Sequence, residues 1–392
     1  MAHEAVIAGV AHTRLGELPE LTDMGINIEA ATAAVADAGL TIKDIDGVLV
    51  QPPFWASPRY HILVTEALGI YTKTLTEATS MGGASYGALL QLAKWAIEDG
   101  QATNVLVVAG EKLRTAHVSG SAMMASVGAH NLDWEYPFCA TIPSYYALLA
   151  QRYLHEYGLD DDAFAPIAVT TRKHACLNPE ATMRTPITER EVLDSPMISS
   201  PLRRLDCSLV SDGGAAWVIS RKGTSGDSAR EVSILGVGEA FSYYHMGHLA
   251  RGDGKGHGIV RTVVDVAGKR AFERARITPA DLDLAMIYDS FTVTVTVQLE
   301  DLGLCGRGES RDFVREGNMD LGGRLPLNTH GGLLSCAHPG ACGGMLHFVE
   351  AVRQLRGEAT GRQVEGCARA VVTSASAVAS NFSVSVLGAP GS

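Results

Sequence analysis

The sequence predicts a duplicated, layered α/β fold. Three observations carry the prediction: apolar strand-like runs alternate with amphipathic helical ones, small residues are abundant, and two long stretches of the first half recur in the second. The first repeat is IEAATAAVADAGLTIKDIDGVLV (28–50), an amphipathic helix, a glycine stop, a short connector and an apolar strand. VAGKRAFERARITPADLDLAMIYD (266–289) has the same order, and the cores DAGLTIKDIDGVLV and RARITPADLDLAMI share spacing and character. The second repeat pairs SMGGASYGALLQLAKWAIEDGQATNVLVVAG (80–110) with HPGACGGMLHFVEAVRQLRGEATGRQVEGCARAVVTSA (338–375). Each opens on small residues, continues as a helix with apolar spacing of i, i+3 and i+4, turns at GQAT or GEAT, and ends in an apolar strand. Such alternation predicts mainly parallel sheets covered on both faces. The polar run RKGTSGDSAREV (221–232) separates the copies, giving halves 1–225 and 226–392.

Residues 111–200 have no counterpart in the second half. They hold the aromatic and polar stretch WEYPFCATIPSYYALLAQRYLHEYG and the helix–loop region TTRKHACLNPEATMRTPITEREVL. Insertions on a packed scaffold commonly build lids or substrate walls, which is the role expected here. The Met-rich run GSAMMASVG (120–128) reads as apolar packing rather than a site.

The bulk composition narrows the function. A chain of 392 residues, 46% hydrophobic, buries a large core, and 42 glycines with 6% aromatics suit tightly packed layers. A net charge of −11 without a Lys/Arg-rich run argues against nucleic-acid binding. The start MAHEAVIAGVAHTRLGE lacks the pattern of a signal peptide, and no apolar run reaches the roughly 18–20 residues of a membrane span. Seven cysteines without CxxC spacing point away from a zinc site or disulfide framework. A cytoplasmic protein with reduced thiols is expected.

Three places carry candidate chemistry. EATSMGGASYG (77–87) runs into a helix, where glycines and small hydroxyl residues suit a nucleophile or an anion; Ser80 is the candidate nucleophile there, with no base beside it in sequence. Its second-half counterpart, NTHGGLLSCAHPGACGG (328–344), places His338 at a helix start, with His330 as a further candidate. LAMIYDSFTVTVTVQLEDLGLC (284–305) ends a strand at Tyr288 and Asp289, before a TVTV run that is helix or strand. Groups at the carboxyl ends of such strands commonly meet ligands, so Tyr288 is a candidate acid or base, against a buried hydroxyl as the alternative. Cys207, Cys336 and Cys342 read as small buried residues.

Taken together, four stretches resemble the thiolase superfamily along nearly the whole chain. EATSMGGASYGAL is similar to the nucleophile loop, CSLVSDGGAAWVIS to the SDGAAA strand, YDSF to the HDCF or NEAF motif, and NTHGGLLSCAHPGACGG to the N-x-x-GG…GHPxGATG element. The resemblance implies the thiolase fold, duplicated βαβ halves in a five-layered αβαβα arrangement, and a homodimer. The departures matter more. Ser80 stands where a thiolase carries its acyl cysteine, VVTSASAVASN (371–381) lacks the second cysteine, and Tyr288 replaces the first residue of the HDCF motif. Without the thiol, acyl-enzyme chemistry loses its nucleophile.

This pattern resembles the sterol-carrier and lipid-transfer-protein branch, particularly the thiolase-like aldolases of steroid side-chain degradation. Those enzymes cleave a β-hydroxyacyl-CoA by a retro-aldol step with two tyrosines; Tyr288 matches the first, and the second falls at His338. The resemblance therefore implies Tyr288 and His338 as catalytic residues and Ser80, Met81, Gly82, Gly83, His330 and Gly343 as residues of the acyl-CoA site. It implies no cofactor and no metal in this chain, since acyl-CoA is the substrate and any zinc belongs to a small OB-fold/zinc-ribbon partner subunit. Acyl-CoA acyl transfer and non-catalytic acyl-CoA or lipid binding are the alternatives.

Overall fold

The computed structural model describes residues 3–54, 56–71, 73–116, 133, 135, 137, 141–243 and 246–392. The Met-rich run 120–128 lies outside the described residues. The strands are β1 Ala5–His12, β2 Gly47–Gln51, β3 Leu75–Ala78, β4 Asn104–Lys112, β5 Met197–Ser199, β6 Leu202–Arg203, β7 Asp212–Arg221, β8 Val232–Phe241, β9 Leu284–Met286, β10 Arg369–Ser376 and β11 Asn381–Gly388. The longer helices are α1 Asp23–Asp37, α2 Tyr60–Ala67, α3 Ser85–Glu98, α4 Ile142–Tyr157, α5 Ala165–Ala175, α6 Val264–Ala275, α7 Thr292–Asp301 and α8 Gly343–Leu355.

Among the described residues, nine strands form one sheet in the order β3-β2-β4-β7-β1-β8-β11-β10-β9, and β5 and β6 pair separately. The long sheet is two copies meeting where β1 pairs with β8. Outward from that seam, β7, β4 and β2 correspond to β11, β10 and β9. The counterpart of β3 is reduced to a single bridge between Ala285 and Leu327. The expectation of mainly parallel pairing is not met. Of the described strand pairs in this sheet, β2–β3, β2–β4 and β9–β10 are parallel, whereas β1–β7, β1–β8, β4–β7, β8–β11 and β10–β11 are antiparallel. The turn 377–380 between β10 and β11 is far too short for the crossover a parallel pair needs.

Period-two alternation along the strands builds the five layers. In β4, Leu106 and Val108 face one core with Ala216 and Val218 of β7 and the alanines of α1. Their neighbours Val105, Val107 and Ala109 face a second core, shared with α3 and α8. On the other half, Ala370 and Val372 of β10 enter that same middle core. Val371 of β10 and Val384 and Val386 of β11 turn outward to a third, beneath α6 and α7. Trp217 sits at the heart of the middle layer, 4.4 Å from the Phe348 ring of α8 and 6.0 Å from the Tyr86 ring of α3 (centroid distances). The β-branched run TVTVTV is helix α7, because all its residues are buried and packing overrides their strand preference.

Glycines set how closely the middle layer packs. A Cβ on Gly87 of α3 would stand 2.1 Å from Ser383 Cβ in β11. Gly87→Ala is therefore expected to lower the unfolding free energy by about 1–3 kcal/mol through overpacking, read as a lower urea midpoint with unchanged slope.

Candidate active site

Both Gly-rich openings become helix starts of the middle layer, and they meet. A 3₁₀ turn over Gly82–Ala84 leads into α3, and another over Gly340–Cys342 leads into α8. A Cβ on Gly344 would lie 2.8 Å from the Tyr86 ring and 3.3 Å from the Gly83 carbonyl oxygen, so only glycine permits this approach. Beside the junction opens a cavity of about 180 Å³. Gly82, Gly83, Tyr288, His338 and Gly340 line it together with Ser208, Ser290 and the turn Ala375–Val378. Phe54, Leu113, Ile142, Tyr146 and Phe291 form apolar walls.

Tyr288 stands at the end of β9 in a fully buried clamp. Its N–H donates to Thr373 Oγ1 (2.9 Å), its carbonyl accepts from Gln298 Nε2 (2.9 Å), and Thr373 Oγ1 donates to Gln298 Oε1 (2.7 Å). The next peptide back is held by Asn328, whose side-chain oxygen accepts the Ile287 N–H and whose amide donates to the Ile287 carbonyl, each at 2.8 Å. The phenol reaches across to the start of α3: a Cβ on Gly83 would meet Tyr288 Oη at 2.5 Å. Burial, then Tyr146 and Asp289, push the hydroxyl pKa well above its ordinary value, so Tyr288 keeps its proton at neutral pH.

His338 faces Tyr288 edge-on, with ring centroids 6.4 Å apart. Three hydrogen bonds tie it to the loop before β7. Ser208 Oγ lies 2.8 Å from Nδ1, the His338 N–H donates to Ser211 Oγ (2.9 Å), and the Ser211 N–H donates to the His338 carbonyl (3.2 Å). The ring leans over Gly343, where a Cβ would meet Cδ2 at 2.4 Å. Burial pushes the imidazole down to about 4, opposed by the charge of Asp289. The cavity thus holds a protonated phenol and a neutral imidazole at pH 7.

The remaining expected site residues separate. Gly82 and Gly83 line the cavity, while Met81 precedes them and donates its N–H to Ser85 Oγ (2.8 Å). Ser80 is exposed and lies outside the lining of the cavity. Gly343 acts from beneath His338 rather than on the wall. His330 is buried in a different cluster and does not line the cavity. Asp289 is turned away from the lining and accepts the Leu333 and Leu334 N–H groups at 2.8 and 3.2 Å. Among the described residues no cysteine lines the cavity. Burial drives the Cys207 thiol up to about 12 and those of Cys336 and Cys342 higher still, which makes them poor nucleophiles.

Sequence reasoning missed Ser208, although CSLVSDGG was singled out, because a lone serine carries no signal until its partner is known. It also missed Tyr146, which stacks on Phe291 at 4.4 Å in the wall. The insertion supplies Ile142 and Tyr146 to that wall, as its aromatic content suggested.

The depressed pKa of His338 gives a stability signature. Its ordinary value is 6.5, so below that pH the unfolded chain takes up the proton before the folded one. The contribution is complete above about pH 6.5 and is lost as pH falls toward 4. Urea titrations should show a steeper loss of stability in this window for the native protein than for His338→Gln.

Comparison with known proteins places these features in a family. Residues 254–389 match the model of the thiolase C-terminal domain-like family. The chain is similar to a steroid side-chain-cleaving aldolase of Thermomonospora curvata, 33% identical with 90% of each chain covered. It is also similar to an acetyl-CoA acetyltransferase of Methanothermobacter thermautotrophicus, 31% identical with 93% of this chain and 94% of that protein covered. Among solved structures, an Ltp2-ChsH2(DUF35) aldolase superposes with a TM-score of 0.84 at 31% identity, covering 99% of this chain and 98% of the other.

Proposed function

The chain belongs to the thiolase superfamily, and we propose that it is a thiolase-like aldolase of that superfamily, a carbon–carbon lyase that cleaves a β-hydroxyacyl-CoA to a ketone or aldehyde and a shorter acyl-CoA. One observation carries the reading: Tyr288 and His338 face each other across a cavity whose described lining contains no thiol. A steroid side-chain thioester is the substrate class suggested by the similar aldolase.

The two pKa shifts support a division of roles. In this reading neutral His338 takes the tautomer whose Nδ1–H donates to Ser208 Oγ (2.8 Å), which keeps a lone pair on Nε2 to accept the proton of the β-hydroxyl. The Cα–Cβ bond breaks, its electron pair passes to the thioester as an enolate, and the β-carbon leaves as a carbonyl. Backbone N–H groups at Gly82 and Gly83, at the positive end of α3, stabilise the enolate oxygen. Tyr288 then protonates the α-carbon. A proton passed from imidazolium to phenolate resets the pair, so turnover neither consumes nor releases a proton. Apolar walls from Tyr146, Phe291 and Val378 take the acyl group.

Acyl transfer is the second reading, favoured by the similarity to the acetyltransferase. It needs a nucleophile, and Ser80 is exposed and outside the cavity lining. The reading extends to assembly and place: two halves, 1–225 and 226–392, form a cytoplasmic enzyme that pairs through the open edge of β3, beside exposed Trp95, and works with a small OB-fold/zinc-ribbon subunit. The name of the Ltp2-ChsH2(DUF35) aldolase supports the last point.

Tyr288→Phe is expected to cut kcat by about 10²-fold or more with little change in KM, since general acid catalysis supplies roughly that factor. Ser80→Ala is expected to keep native turnover, and intact-mass spectrometry during turnover should show no acyl adduct. Full activity of Tyr288→Phe, or an adduct on Ser80, would overturn the aldolase reading in favour of acyl transfer.

A further inference from the structure

A second polar cluster lies behind the Tyr288 turn, and none of its members lines the catalytic cavity. His347 of α8 places Nε2 3.1 Å from Asp289 Oδ1 and 3.1 Å from the Ile287 carbonyl oxygen. A carboxylate and a carbonyl only accept, so Nε2 carries the hydrogen. Its ring stacks beside Tyr288, with centroids 6.3 Å apart. His330 meets His347 edge to face at 5.1 Å. Both histidines are buried. Among the described residues, His347 Nδ1 and both ring nitrogens of His330 have no hydrogen-bond partner. Buried polar atoms are rarely left so, and an ordered water is the usual resolution.

The space for one is present. His330 borders a small cavity of about 10 Å³, with Asn178, Glu180, Glu350 and Arg353 among its polar walls. That volume is about what a single water needs by the same measure. Several of these walls are already committed. Glu350 takes Arg362 through both oxygens (2.9 and 2.7 Å), and the Asn178 amide donates to the His330 carbonyl (2.9 Å). Glu180, which pairs with Arg353 (2.7 Å) and His12 (3.3 Å), is exposed and brings the cluster to the protein surface.

We propose that His330 anchors a resident water in this cavity, and that the water, His330 and His347 form one polar column that positions Asp289 and, through it, the turn bearing Tyr288. The water fixes the tautomer of His330 and the edge it presents to His347. His347 then holds the Asp289 carboxylate, which in turn fixes the Leu333 and Leu334 N–H groups on the segment leading to His338. His330 and His347 are positioning residues: neither touches the substrate.

The kinetic arm rests on Tyr288 as the proton donor, whereas the structural arm needs no turnover, so failure of one reading is distinguishable from failure of the other. A high-resolution crystal structure should show one water about 2.7–3.2 Å from a His330 ring nitrogen. Nitrogen-15 NMR at pH 7 should show His330 as a single neutral tautomer. His330→Phe should lower kcat about tenfold or more while leaving KM near native, as misplaced catalytic groups do. His330→Gln, which can hold the water, should recover most of the loss. A structure with ordered interior waters elsewhere but none at His330, mixed tautomers, or equal kcat for the Phe and Gln variants would overturn the proposal.

Discussion

The candidate active site depends on how closely the two central helices begin against each other. Gly83, Gly343 and Gly344 remove side chains where α3 and α8 start, so these segments approach backbone to ring and ring to backbone. Trp217, Tyr86 and Phe348 fill the layer behind them and fix the separation. The consequence is electrostatic. Two helix starts, each carrying partial positive charge, border one cavity whose described lining contains no carboxylate. Such a place is unfavourable for a cation and favourable for charge that appears on a substrate oxygen during reaction.

Tyr288 and His338 are held by their backbones more than by their side chains, and that leaves their tips free for chemistry. Thr373 and Gln298 occupy the Tyr288 N–H and carbonyl, while Asn328 continues the ladder of β9 with its side-chain amide. Asn328 adopts a left-handed conformation (φ 45°), which asparagine tolerates better than most residues. Across the cavity, Ser211 holds the His338 backbone, while Ser208 Oγ engages ring Nδ1 and leaves Nε2 facing away from that contact. The same burial pushes the two pKa values apart, the phenol up and the imidazole down, so donor and acceptor coexist in one cavity.

The fold was largely legible in the sequence because its signals are local. Alternating strands, amphipathic helices and the paired Gly-rich openings each state a period, and the repeat ties them together. Strand direction was not legible: whether β7 and β11 run with or against their neighbours depends on where the chain returns, which composition does not state. The TVTVTV run was ambiguous for a related reason, since its helical state comes from burial on every side. At the site, Tyr288, His338, Gly82 and Gly83 were readable from motif position. Ser208 and Tyr146 were not, because each matters through a partner more than a hundred residues away in sequence. His330 was drawn toward the site by its place in a motif, yet its ring packs edge to face on His347, behind the turn that carries Tyr288. A motif fixes where the backbone passes, and the side to which a ring then turns is decided by packing.

Sequence identity does not choose between the two chemistries of the family, as the aldolase and the acetyltransferase are about equally similar to this chain at 33% and 31%. The physical demands of the two reactions do. Carbon–carbon bond making or breaking next to a thioester passes through an enolate in either case, so both require donors aimed at the thioester oxygen. Only acyl transfer also requires a nucleophile to carry the acyl group. A scaffold with these helix starts and no thiol in the described cavity lining therefore has what the shared intermediate needs and lacks what only one reaction needs. With Ser80 outside the cavity lining and a phenol–imidazole pair within it, the lining offers groups suited to proton transfer, and proton movement between a β-hydroxyl and an α-carbon is what retro-aldol cleavage demands.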